Sequence, residues 1–542
     1  MKTKLAVWEG VRCFFLTICL LAAFTSCKKN SPADVVDEDE TENTPPANGS
    51  RAQLTKDSIF LYAKDVYYWN DALPSYEIFN PRKYTQYSDE LDNYYKELFD
   101  ITQLKINPAT GKPYEYISST ANYPKYSYIT DAESHNPPTT SSLPTVSEVS
   151  LEGVGTDFGI ALTAVSNAGG GYQIFIRYVS KGSPAERNFL NRGDILTEVN
   201  GTKLGADFAT DQNTVNRAFD QSSIRLSGKK SNGASFTRTL TKMTYFSSPV
   251  YKDTVLNIGG KKIGYLSFAR FSNPSNASGP LNTSFSRFAN EGVTDLVIDL
   301  RYNGGGYVST AEYLANLIAP SSVNGNVMFI EYFNQTMQNG QANILKNQPL
   351  LTDNGQVQYA NGRLVTYFDV DYSVSENTYR FEKKGSLNSV KNVVFIVTGN
   401  TASASELVMN VLKPYVNVKI AGSTSYGKPV GFFPITIDVY DVYYSMFESK
   451  NARGEGGYYQ GFNPDVSSAD DVTHDFGDPL EAGFAAAIRY FTTGSLTSSV
   501  AVTTKVLGKA VTLSSSAIKD VSKDDSFKGM IEEPSRLKIK LH

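Results

Sequence analysis

Between Val250 and Thr493 short apolar runs of strand length alternate with helix-like runs, the pattern of an α/β domain whose sheet is covered on both faces. Twice in that stretch the passage from strand to helix is made by residues with almost no side chain. The first follows the buried-strand run Asp295 to Leu300 and reads Arg301-Tyr302-Asn303-Gly304-Gly305-Gly306 ahead of a helix expected over 309–317. Consecutive glycines there let another backbone, or a developing oxyanion, approach unobstructed amides. No Gly-Lys-Ser/Thr follows, so a Walker-type nucleotide site is disfavoured.

The second passage follows the strand-like Val393 to Val397 and reads Thr398-Gly399-Asn400-Thr401-Ala402-Ser403-Ala404-Ser405-Glu406, before a helix that Pro414 stops. Small residues around a serine at such a turn expose its hydroxyl and aim helix-start amides at whatever it attacks. Serines at helix starts also serve as ordinary caps. A nucleophilic serine needs a base, and histidine is confined to His135, His474 and His542. Lysine is the better candidate. The strand-like run 416–421 leads into Gly422-Ser423-Thr424-Ser425-Tyr426-Gly427-Lys428, which puts Lys428 in a glycine-bounded turn. It can act as a base only if burial lowers its pKa towards neutrality, and Phe432 and Phe433 are apolar neighbours suited to that.

Ahead of this domain, residues 146–246 read as a small, mostly-β module of short alternating runs, such as Tyr172 to Ile176 and Ile195 to Val199. Its stretch Gly182-Ser183-Pro184-Ala185-Glu186 through Leu190-Asn191-Arg192-Gly193-Asp194-Ile195-Leu196 to Val199-Asn200-Gly201 resembles a PDZ domain. That resemblance implies a peptide added as a strand to a sheet edge. Phe158, Gly159 and Ile160 would belong to the loop that catches a terminal carboxylate, although Asp157, if turned inward, would repel one.

Glycine run, Ser-Ala-Ser-Glu stretch and Tyr-Gly-Lys turn, all behind a PDZ-like module, resemble the C-terminal processing (tail-specific) peptidases of family S41. The resemblance covers about two thirds of the chain and implies a crotonase-like α/β catalytic domain over 250–495. It implies Ser403 as nucleophile and Lys428, 25 residues later, as general base. It also implies an oxyanion hole from the amides of Ala404 and of the glycine run, Gly305 foremost, with Gly304 and Glu406 as supporting residues. Glu406 could equally be a favourable first-turn charge. Many relatives carry a glutamine four residues past the lysine, where this chain has Phe432, so a different group must orient Lys428 or the ring aids its desolvation at the expense of orientation. The implied activity is a serine-type endopeptidase acting on polypeptides near their C-termini through an acyl-enzyme, with no metal or other cofactor. The alternative is a peptide- or apolar-ligand-binding envelope protein on the same fold.

The remaining segments fix context. Lys2, Lys4 and Arg12, the apolar run Cys13 to Phe24 and small residues before Cys27 make 1–26 a secretory signal peptide, its apolar run too short to cross a core of roughly 30 Å. Leu21 to Cys27 resembles a bacterial lipobox, which implies acylation of Cys27. The cysteines are Cys13, Cys19 and Cys27, so such cleavage leaves no pair for an internal disulfide. An exported protein held to an envelope membrane through Cys27 is expected. Outer membrane is preferred, because Lys28 and Lys29 replace the aspartate often used for inner-membrane retention. Residues 27–50 are expected as a disordered tether, 51–140 as a helical domain without chemistry, and 496–542 as a loosely ordered tail. A formal charge of −4 disfavours a general nucleic-acid partner. The expected architecture is therefore multidomain α/β (α+β).

Overall fold

The structure, a computed structural model, describes residues 45–118, 123–131, 149–167, 171–352, 355–496, 502–506, 509–513, 518–521 and 527–540. The expected signal peptide, Cys27 and most of the expected tether lie outside them. From Pro45 onward the chain forms one compact unit.

Helix α1 (Arg51–Val66) begins with a capping box: Ser50 Oγ accepts from the Gln53 amide while Gln53 Oε1 accepts from the Ser50 amide. Arg82 donates to the carbonyls of Pro46 and Asn48, so the last residues of the expected tether are fixed against the body. A second helix, α2 (Glu90–Thr102), and a strand, β1 (Tyr128–Asp131), follow. The helical character expected here is present, but Phe60, Val66, Leu98 and Ile101 pack into the same core as the central sheet rather than closing a separate domain. With so few buried faces of its own, the block is stabilised by sharing a larger core.

The longer strands of the next module, all antiparallel, are β2 (Ile160–Ser166), β3 (Tyr172–Val179), β4 (Ile195–Val199), β5 (Ser223–Lys229) and β6 (Ser235–Thr241), in spatial order β6-β5-β4-β3-β2. Helix α3 (Phe208–Phe219) covers them, and Phe158, Ile160, Leu162, Ile174, Val215, Phe219 and Leu226 form their core. Arg192 leaves this module to donate to Tyr302 Oη, the Asp470 carboxylate and the carbonyls of Asp471 and His474.

The central sheet contains β7 (Val250–Ile258), β8 (Lys261–Phe268), β9 (Asp295–Asp299), β11 (Asn392–Val397), β12 (Asn417–Gly422) and one later edge strand, while the short strand β10 (Gly305–Tyr307) lies outside it. β7 and β8 form an antiparallel hairpin, and from β8 through β9 and β11 to β12 every pairing is parallel, with Leu296 opposite Val393 and Phe395 opposite Ile420. Parallel strands are buried on both faces, which explains their unbroken apolar runs. Val393, Phe395 and Val397 face helices α4 (Pro274–Asn290), α5 (Val308–Ile318) and α6 (Ala404–Leu412), while Val394 and Ile396 face the opposite core. Further along, β13 (Val430–Gly431) leads to β14 (Tyr440–Tyr443), which pairs with β1, and then β15 (Val466–Ser467) closes the sheet edge beside β12. Helix α7 (Ala482–Thr493) covers the second face through Phe484, Ala487 and Phe491.

The tail departs from expectation. Its strands β16 (Ile518–Asp520) and β17 (Gly529–Ile531) are both paired, and β17 runs parallel to β10 with Gly305 opposite Gly529. Phe432 donates its amide to the Met530 carbonyl, Glu532 returns one to Phe432, and Met530 is fully buried. Arg536 then binds the carboxylates of Glu312 and Glu532. A Ser/Thr/Lys-rich composition concealed this because the strand partners lie far away in the chain, at Gly305 to Tyr307 for β17 and at Thr163 to Val165 for β16.

Candidate active site

Asn303 ties the two strand-to-helix passages together. Fully buried, it donates from Nδ2 to the Phe268 carbonyl and accepts the Gly305 amide on Oδ1 at 2.9 Å. Its own carbonyl accepts the Ser405 hydroxyl at 3.0 Å and the Ala402 amide at 3.1 Å. Ser405 is therefore a hydrogen-bonded structural residue.

Ser403 differs. It precedes α6 with φ 60° and ψ −110°, a backbone region that costs a non-glycine residue on the order of 1–3 kcal/mol. It is fully buried, and its Oγ faces the Glu406 amide in a capping-box arrangement without a hydrogen bond of ordinary geometry to any described residue. Ala404, next in the chain, opens the helix, where amides have no intrahelical acceptor and the helix dipole is positive. Gly305 is less free than the resemblance implied: its N–H is taken by Asn303, and its φ of +109° leaves room for the Gly529 carbonyl, 2.3 Å from where a Cβ would sit. Gly304 accepts the Gly529 amide at 3.1 Å and so acts as a strand partner of the tail.

Glu406 joins serine to lysine. Its Oε2 accepts the amides of Ser403 at 2.9 Å and Lys428 at 2.8 Å, and its Oε1 accepts the Gly427 amide at 2.7 Å and the Ser425 hydroxyl at 2.5 Å. Burial raises the Glu406 pKa above the ordinary carboxylate range, and these hydrogen bonds oppose the rise.

Lys428 is buried, and its Nζ donates to the carbonyls of Lys528 at 2.8 Å and Tyr126 at 3.2 Å. Burial lowers its pKa from 10.5 to about 7, with Glu115 opposing and Lys125 reinforcing the change. The Phe432 ring centre lies 4.4 Å from Nζ, so the residue that replaces the relatives' glutamine forms an apolar wall, while backbone carbonyls orient the amine. A neutral amine that donates two N–H bonds to carbonyls keeps a lone pair for a third partner. Lys125 stands beside it, donating to the carbonyls of Gly427 and Tyr459, its pKa lowered by burial to about 8.

Tyr126, Lys125 and Lys528 were not legible in the sequence. They come from a block that showed no chemistry and a tail that showed no structure, and two of the contacts use backbone carbonyls, which carry no residue signature. Phe158, Gly159 and Ile160 fall elsewhere: Phe158 and Ile160 are buried in the core of the small β module, and Gly159 donates its amide to Asp157 Oδ1 at 2.6 Å. Among the described residues no group of three His, Cys, Asp or Glu side chains is arranged to hold a metal ion, and no helix is long and apolar enough to cross a membrane.

Residues 148–231 match the model of the PDZ domain, and residues 262–468 match that of peptidase family S41. A segment that matches the S41 model thus follows one that matches the PDZ model. The S41 match contains the glycine run, Ser403, Glu406 and Lys428, whereas Tyr126 and Lys528 lie outside it. Over 298 residues the chain is 24% identical to the chloroplastic C-terminal processing peptidase of Tetradesmus obliquus, covering 53% of this chain and 54% of that one. Over 258 residues it is 24% identical to the "Probable CtpA-like serine protease" of Staphylococcus aureus strain bovine RF122 / ET3-1, covering 48% and 42%. The chain thus spans about half the length of the curated relatives it matches. In fold, it is similar to the crystal structure of a candidate S41 protease from Bacteroides fragilis NCTC 9343, with a TM-score of 0.51, 19% identity, and coverage of 84% of this chain and 100% of that one.

Proposed function

We propose that this chain is a serine-type endopeptidase of the cell envelope that cuts polypeptides near their C-termini, with Ser403 as nucleophile and Lys428 as general base. The observation that carries the reading is that one carboxylate, Glu406, holds the backbone of a buried Ser403 at a strained helix start together with that of a lysine whose pKa burial brings to about 7. Lys428 Nζ donates to the Tyr126 and Lys528 carbonyls, and catalytic hydrogen bonds commonly form or tighten when substrate binds.

On attack, Ser403 Oγ forms a bond to the peptide carbonyl carbon as its proton passes to the Lys428 amine. Negative charge gathers on the carbonyl oxygen, where the Ala404 amide stabilises it; the Gly305 amide contributes only by exchanging Asn303 for the oxyanion. Collapse breaks the C–N bond, and the leaving amine takes the proton from Lys428. Water, deprotonated in turn by Lys428, then releases the acyl group and restores the hydroxyl. Glu406 holds both backbones in place and touches no reacting atom. Ser403 and Lys428 are both buried, so a substrate must displace groups that cover them, and the Tyr126 and Lys528 carbonyls are the ones in contact with the lysine.

The PDZ domain would engage the polypeptide, and acylation of Cys27 would hold the enzyme on an envelope membrane, the outer one by preference. A Cys27→Ser variant recovered wholly with membranes would contradict the anchor. For the chemistry, acid-quenched turnover of an unfolded polypeptide, digested and weighed by mass spectrometry, should show an acyl adduct on the peptide that contains Ser403. Binding of the polypeptide without adduct or cleavage would instead favour a peptide-binding protein.

A further inference from the structure

The outer edge of β2 does not face solvent. β16, from the C-terminal segment, lies antiparallel along it, with Ile518 opposite Val165, Lys519 opposite Ala164 and Asp520 opposite Thr163. The segment therefore advances towards the loop that holds Asp157 and Gly159, in the groove between β2 and α3.

Its contacts are specific along its length. Thr163 Oγ1 donates to the Lys519 carbonyl at 3.1 Å, and Gln212 Nε2, on α3, donates to the carbonyls of Asp520 at 3.3 Å and Val521 at 3.1 Å. Arg177, on β3, pairs with the Asp520 carboxylate at 2.8 Å. Val521 is fully buried in the PDZ core, in the cluster that contains Phe158, Leu162, Val215 and Phe219. Strand addition, backbone capture from the facing helix and a pocket for one apolar side chain are the means by which an edge groove recognises a peptide.

The loop completes the argument. Asp157 Oδ1 takes the Gly159 amide at 2.6 Å and the Tyr245 hydroxyl at 2.7 Å, so a carboxylate of the domain itself stands at the amide expected to meet a terminal carboxylate. An internal segment brings no terminal carboxylate and leaves that place to Asp157.

We propose that residues 518–521 are a resident ligand of the PDZ groove, and that the external partners it admits are extended internal segments with an acidic residue directly before a valine-sized one, which must displace the resident. The assignment does not depend on Ser403 being a nucleophile. It also places a competitor for the groove on the same segment that goes on to supply Lys528 to the Lys428 amine.

The test uses the full chain and a fluorescein-labelled synthetic peptide with the sequence of residues 515–523, amidated at its C-terminus, followed by fluorescence anisotropy. Val521→Asp puts a charge into the buried pocket, and Asp520→Arg sets a like charge against Arg177 without adding one to the core. Whichever of the two variants keeps a cooperative thermal transition should bind the peptide at least tenfold more tightly than wild type. A second peptide ending at Val521 with a free carboxylate should bind that variant no more tightly than the amidated one. Binding no tighter than wild type by the folded variants would overturn the proposal, as would a tenfold or greater preference for the free carboxylate. Because the readout is binding, a chain that cleaves nothing leaves this result intact.

Discussion

Ser403 and Lys428 donate their backbone amides to one oxygen atom, Glu406 Oε2, at 2.9 and 2.8 Å. The two residues lie on separate loops, one opening α6 and the other following β12, and the shared oxygen keeps the loops in register. Each loop is also tied to the fold independently: Asn303 accepts the Ala402 amide, and the Ser425 amide donates to the Phe462 carbonyl. The backbones from which the two side chains extend are thereby fixed, although neither side chain hydrogen-bonds the other.

Glu406→Gln keeps the shape but replaces one acceptor oxygen with an NH2 group that faces donors. A buried donor left unpaired costs about 1–3 kcal/mol, so the thermal transition should fall, and hydrolysis should drop by one to two orders of magnitude through kcat with KM little changed. If kcat is unaltered, Glu406 does not position the dyad.

The pH profile follows from Lys428. Burial brings its pKa down from 10.5 to about 7, so the active, neutral amine fills as pH rises, and kcat/KM should climb through an acid limb near 7 to a plateau. The same shift makes a stability prediction. Between about 7 and 10.5 the unfolded chain holds a proton that the folded chain has released, so the penalty for burying this group is fully present below 7 and is relieved as pH rises. Lys428→Met should abolish hydrolysis, raise stability at pH 6 and flatten the pH dependence of the denaturation midpoint across that window.

Gly305 has φ +109°, and a Cβ there would lie 2.3 Å from the Gly529 carbonyl and 3.1 Å from the Ala404 amide. Gly305→Ala should therefore lower the denaturant midpoint strongly, by more than about 2 kcal/mol in free energy. Gly325, also at positive φ but with nothing within 4 Å, is the control, where alanine meets only the backbone preference. Equal losses at the two positions would show that the close approach of β17 contributes nothing.

Much of this architecture was legible from residue pattern. The apolar runs at 295–300 and 393–397 are the buried parallel strands, and the run of small residues from Gly399 to Ser405 is the turn into α6. What escaped was long-range. β1 and β17 are short strands whose partners, β14 and β10, lie hundreds of positions away, so neither period nor composition marks them. Phe432 illustrates the limit from the other side: the sequence showed that the usual amide was missing, but not that main-chain carbonyls of Tyr126 and Lys528 would receive the amine.

Ser403 and Ser405 are both fully buried beside the same helix start, and only the latter has a bonded hydroxyl, donated to Asn303. The most direct test compares hydrolysis of an unfolded polypeptide by wild type, Ser403→Ala and Ser405→Ala at equal concentration and pH 8. Wild type should cleave, Ser405→Ala should cleave within about tenfold of it while losing about 1 kcal/mol of stability, and Ser403→Ala should be inactive although folded. Cleavage by Ser403→Ala at the wild-type rate would contradict its assignment as the nucleophile.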